Sequence, residues 1–140
     1  MSGASAMGYF LIGIGSALGG MARYWCSVAI ATTVKSTFPW NILTINVIGS
    51  CLIGIAMGAL EQGGRWHAPD GTRYFVTQFF MVGVLGGFTT FSSFSAVTLT
   101  LMREQQWLQA GANILLSVVL CLLAVAAGFW LTSSLNQARG

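Results

Sequence analysis

Gly86-Gly87-Phe88-Thr89-Thr90-Phe91-Ser92-Ser93-Phe94-Ser95 falls within the third long apolar stretch of this 140-residue chain. It places glycines, hydroxyls and aromatic rings where a lipid-facing helix would be uniformly aliphatic. Main chain that breaks at bilayer depth is tolerated only when it is buried in protein or lines a wet cavity. The run therefore predicts an interrupted membrane helix and marks an ion or solute site.

Composition supports the membrane reading. Hydrophobic residues make up 55% of the chain and charged residues only 6%. A soluble domain carries about 25% charged residues, so this chain has too few to cover a water-facing surface. The net charge of +3 comes from six basic and three acidic residues, too sparse for a nucleic-acid patch, and it reads as loop charge. Cys26, Cys51 and Cys121 all lie in apolar stretches, which argues against a disulfide framework. The only histidine, His67, lies in a loop, and no Cys/His spacing suggests a metal site. No lysine or arginine precedes Arg23, so the N-terminal segment lacks the charged start of a secretion signal and is expected to be a mature helix.

Working outward from the motif, four stretches each approach or exceed the roughly 20 residues that a spanning helix needs. They run from about Met7 to Ala31, Phe38 to Leu60, Tyr74 to Met102 and Trp107 to Leu131. Pro39 suits the first turn of the second. The third is long for one straight span, as an interrupted helix would be. The longest loop, Glu61 to Arg73, carries Gly63-Gly64 and Pro69-Asp70-Gly71 as turn signals. The expectation is an all-α integral membrane protein whose residues 1–140 form a single four-helix transmembrane domain. Trp25, Trp40, Trp66, Trp107 and Trp130 lie near span ends, as an aromatic belt does. Small residues recur at four-residue spacing: Gly15 and Gly19, Ser16 and Gly20, Ser50 with Gly54 and Gly58, Gly83 with Gly87. That spacing predicts close helix packing and by itself says nothing of a substrate.

Orientation is weakly encoded. With a cytoplasmic N-terminus, the inside segments carry Arg65, Arg73 and Arg139 and the outside segments carry Lys35 and Arg103, a bias of one charge. Charge counting leaves open either a single orientation or two copies inserted antiparallel. Four helices are few for enclosing a solute path, which favours a homodimer.

Several polar groups inside the spans could carry chemistry. Arg23 either snorkels to the interface or supplies positive charge that draws anions into a vestibule. Asn46 is either glue between helices or a donor to a permeating anion. Asn113, Ser117 and Cys121 follow at one-turn spacing on the fourth span. Phe91 and Phe94 share a helix face, and an aromatic edge is electropositive. No Asp or Glu lies within a span, which argues against a proton-coupled exporter of cationic drugs, the alternative being a small multidrug-type membrane exporter. A membrane scaffold subunit would leave the broken span without purpose. No hydrolytic constellation is present, and no enzyme is expected.

In Gly19-x-x-x-Arg23, Leu43-x-x-Asn46-x-x-Gly49 and above all the run from Gly86 to Ser95, the chain resembles the CrcB, or Fluc, family of fluoride channels. The resemblance covers most of the chain in order. It implies an antiparallel, dual-topology homodimer in the bacterial inner (plasma) membrane, with two pores that pass fluoride out of the cell passively. It also implies a structural sodium ion at the dimer centre, held by main-chain carbonyls of Gly86 and Thr89 from each subunit. Phe91 and Phe94 would be pore rings, and Asn46 a pore donor. Ser117, with the Thr90 and Ser93 hydroxyls, would line the path, and Arg23 would lie toward the vestibule. The sequence departs from the family pattern at Asn41-Ile42, where Gly-Thr is usual, at Val97, where Glu is common, and at Cys121, where Ser is frequent.

Overall fold

The computed structural model describes residues 3–61 and 70–137. Arg65, Trp66, His67 and Arg139, on which parts of the charge count and the aromatic belt rest, lie outside the described residues. Among the described residues all regular secondary structure is helical. Helix α1 covers Gly3–Thr33 and α2 covers Trp40–Ala59. Then follow α3 (Asp70–Phe75), a π-helical segment (Val76–Leu85), α4 (Gly86–Phe88), α5 (Phe91–Arg103) and α6 (Trp107–Gln137).

Three helical runs are long and apolar enough to cross a bilayer: Trp40–Ala59, Asp70–Arg103 and Trp107–Asn136. Helix α1 matches α6 in length, at 31 residues each, but Arg23 and its many small residues make it less apolar. The helices overrun the expected spans at several ends. The third begins at Asp70 rather than Tyr74, and α6 continues past Leu131. Pro39 caps α2 instead of sitting in its first turn. Lacking an N–H, it still offers its carbonyl to the Leu43 N–H, at 3.2 Å.

Packing pairs the helices in an interleaved way. Helix α2 packs chiefly on α6, and α1 on the π segment and α4. Small residues set both contacts. A Cβ at Gly54 would collide with the Val125 carbonyl, and one at Gly58 would stand 2.6 Å from the Phe129 carbonyl. A step of four along α2 thus matches a step of four along α6, so the two run parallel. Gly15 faces the Phe79 carbonyl and Gly19 the Val84 carbonyl, so α1 and the third helix also run parallel. Helix α5 turns into α6 through Glu104–Gln106, where Gln105 takes a left-handed φ of 61°.

Ile42, Leu43, Ile45, Leu85, Phe88 and Leu101 are buried between the helices. The outside is apolar as well: Tyr24, Trp25, Leu108, Leu122 and Leu123 are all exposed. Polar residues collect inside instead, with Thr90, Thr98, Asn113 and Ser117 buried. That distribution suits a hydrocarbon solvent, in which unsatisfied polar groups are costly.

Candidate ion site at the helix break

The break lies at Thr89 and Thr90, within the quoted run. Both adopt extended backbone, with φ −79° and ψ 158° at Thr89 and φ −153° and ψ 112° at Thr90. Thr89 closes the upstream helix: its N–H and its Oγ1 both donate to the Leu85 carbonyl, each at 2.9 Å. Thr90 opens the downstream one. Its Oγ1 accepts from the Ser93 N–H at 3.1 Å, an N-cap contact, and donates to Ser93 Oγ at 3.1 Å. Ser92 Oγ lies 3.1 Å from the same hydroxyl.

Asn46 holds the opened chain from α2. The Thr90 N–H donates to its Oδ1 at 2.9 Å, and its Nδ2 donates to the Thr90 carbonyl at 3.3 Å. An extended residue turns its N–H and C=O to the same side, so one carboxamide can satisfy both. Asn46 therefore acts as helix glue, and its second Nδ2 hydrogen is not engaged in these bonds. Gly49 permits the approach: a Cβ there would collide with the Thr89 methyl.

The same bonds free two carbonyls. In an unbroken helix the Gly86 carbonyl would accept from the Thr90 N–H, and the Thr89 carbonyl from the Ser93 N–H. Those N–H groups go to Asn46 Oδ1 and Thr90 Oγ1 instead. Among the described residues no group of three or more His, Cys, Asp or Glu side chains could hold a metal ion. The two released carbonyls lie at the break, and Gly86 is exposed on the protomer surface.

A groove of about 480 Å³ runs beside the break, walled by α2, the third helix, α5 and α6. Asn46, Gly86, Thr89 and Thr90 line it at the break, Phe91 and Phe94 on α5, and Ser117 on α6. The two phenyl rings lie 5.4 Å apart at 43°. Phe91 is 79% exposed on a single protomer. Ser93, expected along the path, serves the N-cap and is not in the lining, and half-buried Arg23, expected toward the vestibule, lies on α1 outside the lining. The lining also includes Ser50, Met81 and Cys121. Ser50 enters the sequence reading only as a small packing residue, although it stands one turn beyond Asn46. Met81 carried no signal, because its direction depends on the π segment.

The geometry defines a helical membrane protein with opened main chain beside a groove. The profile described as CrcB-like protein, Camphor Resistance (CrcB), matches residues 10–129, and the chain belongs to that family. Among its relatives, the "Fluoride-specific ion channel FluC" of Paramagnetospirillum magneticum is 48% identical over 129 residues, covering 92% of this chain and 98% of the relative. The protein of the same name in Methylocella silvestris is 48% identical over 134 residues, covering 96% and 99%. That of Rhodospirillum rubrum is 49% identical over 122 residues, covering 87% and 92%. These relatives are named as channels, not as enzymes.

Proposed function

We propose that this chain is a fluoride-selective channel that lets cytoplasmic fluoride leave passively. The observation that carries the reading is the Asn46-clamped break at Thr89 and Thr90 beside Phe91 and Phe94. Relatives that align over nearly their whole length are named fluoride-specific channels. Fluoride enters acidified cells as neutral HF and ionises near neutral pH, after which lipid holds the anion in. An inside-negative potential assists its exit by about 2.3 kcal/mol per charge per 100 mV. Fluoride is small and strongly hydrated, so the path must supply close donors in place of water. The free Asn46 Nδ2 hydrogen, the Ser117 hydroxyl and the positive ring edges of Phe91 and Phe94 are the donors at hand. Arg23 draws anions toward the mouth.

The working unit is an antiparallel homodimer of four-pass subunits with two pores, in the bacterial inner membrane. Helix α1 supplies the fourth pass, supported by its length and its parallel packing on the third helix. The exposure of Gly86 and Phe91 supports a second copy covering the break. Gly86 and Thr89 carbonyls from both copies would hold a sodium ion, whose chemistry there is to bind oxygen dipoles and offset anion repulsion.

Fluoride-electrode recording of efflux from reconstituted liposomes, with chloride as control, tests the reading. Fluoride efflux without chloride efflux is expected, and Phe91→Ile is expected to abolish it while the dimer persists on gel filtration. Equal passage of both halides, or unchanged efflux in Phe91→Ile, would refute it.

A further inference from the structure

The groove beside the break carries a pair of sulfur atoms that fluoride passage does not use. Met81 of the π segment and Cys121 of α6 both line it, from different walls. Cys121 is a free, half-buried thiol, and Met81 is half-buried as well. Cys26 and Cys51 are also free and half-buried, but neither lines the groove. Cys121 is thus the thiol that shares a cavity with a thioether.

The donor set selects the ion. Among the described residues the lining holds no Asp, Glu or His, so a divalent cation finds neither carboxylate nor imidazole there. Thiolate and thioether are soft ligands that select Cu(I), and Ag(I) shares its filled d shell and its readiness to bind only a pair of ligands. Charge selects in the same direction. Much of the lining is apolar, with Ile53, Leu85, Val118 and Leu122. A monovalent ion on a thiolate is neutral, whereas a divalent one leaves a net charge, which is costly among apolar groups. Ser117, a turn before Cys121, lines the same groove; it is 7% exposed and its Oγ has no hydrogen-bond partner. Its hydroxyl is therefore available to an occupant beside the Cys121 sulfur.

We propose that Cys121 and Met81 form a site for a soft monovalent cation of the Cu(I) and Ag(I) type, and that the bound ion plugs the groove. On binding, the Cys121 S–H bond breaks and its proton passes to water. The sulfur keeps the electron pair and shares it with the metal, and Met81 Sδ supplies the other bond. No electron is transferred, and the metal keeps its single charge. Because a proton is released, binding tightens as pH rises. Met81 is unbranched and flexible, so its sulfur can swing to the ion. The metal site stands by itself. The plug rests on the proposed channel reading, since the same groove carries Phe91 and Phe94.

Silver nitrate is the probe, because fluoride, unlike chloride, does not precipitate silver. In the full-length protein, Cys26→Ser and Cys51→Ser together leave Cys121 as the only thiol. Equilibrium dialysis is expected to find a single silver ion per chain. Met81→Leu, which nearly conserves volume, is expected to weaken binding by more than about tenfold, the least that loss of a partner outside a metal's own shell costs. Cys121→Ser is expected to abolish it. Unchanged affinity in Met81→Leu overturns the site and leaves an isolated thiol, as does equal affinity in a chain whose only thiol is Cys26. In liposomes, silver is expected to lower fluoride efflux and dithiothreitol to restore it, while Cys121→Ser resists the block, each variant being referred to its own silver-free rate. Silver that binds as expected but leaves efflux unchanged overturns the plug. A chain that passes no fluoride even without silver removes the channel reading and the plug with it, while the dialysis result still decides the metal site.

Discussion

Asn46 and Thr90 show how one pair of residues decides the local structure. Asn46→Leu conserves approximate volume but leaves the Thr90 N–H and C=O unpaired. A buried unsatisfied group costs about 1–3 kcal/mol, so the break is expected to refold or loosen and fluoride efflux to be lost. The liposome assay reads the second outcome, and melting of the detergent-solubilised protein reads the first. Thr90→Val keeps the backbone contacts and removes the cap to Ser93. It is expected to cost about 1 kcal/mol of stability, with a lower melting temperature. At this scale the sequence was legible in kind: a carboxamide inside an apolar span demanded partners. It did not say that the partner was the main chain of Thr90, because that contact spans 44 residues and arises only when Gly49 lets α2 press on the break. Thr98 paired with Asn113 escaped reading for the same reason, since neither position alone distinguishes a contact between helices from back-bonding to the previous turn.

Helix contacts follow the small residues. Gly19→Val would drive a side chain into the Val84 carbonyl and the Phe88 N–H, whereas Gly13 has open space around its would-be Cβ. Overpacking of this kind costs about 1–3 kcal/mol, so Gly19→Val is expected to melt lower and Gly13→Ala to be neutral. The four-residue spacing announced these seams, and Gly15, Gly19, Gly54, Gly58, Gly83 and Gly87 all lie in close contact with a neighbouring helix. Gly20, read in the same pattern, touches nothing within 4 Å. The π segment was illegible. Val76–Leu85 is apolar apart from the adjacent Thr77 and Gln78 and offers no periodicity to separate one helix type from another. Its widened turn accompanies a stacked Phe75–Phe79 pair, at 5.0 Å and 18°, and the approach of Gly83 to Gly15.

For the molecule as a whole, the membrane class was plain from composition, because so few charges can solvate no surface. The number of copies and their direction were not, because the charge bias between the two sides is a single residue. Dual insertion makes a definite prediction. With Cys26, Cys51 and Cys121 replaced by serine, Lys35→Cys is expected to react with a membrane-impermeant maleimide in about half of the molecules when it is applied to intact cells, and in nearly all after permeabilisation. Labelling of all or none of the molecules in intact cells would indicate one orientation. Sodium is tested on the same scale: replacing it with N-methylglucamine is expected to lower both the melting temperature and the efflux rate.

The parallel pairing of α2 with α6, and of α1 with the third helix, has a consequence for biosynthesis. Each half of the chain makes its main seams with the other half and few within itself. The first hairpin must therefore wait in the bilayer, its glycine faces bare, until the ribosome has delivered the second. Two polypeptides ending at residue 61 and starting at residue 70 should find one another when produced together in one cell, and neither should persist alone.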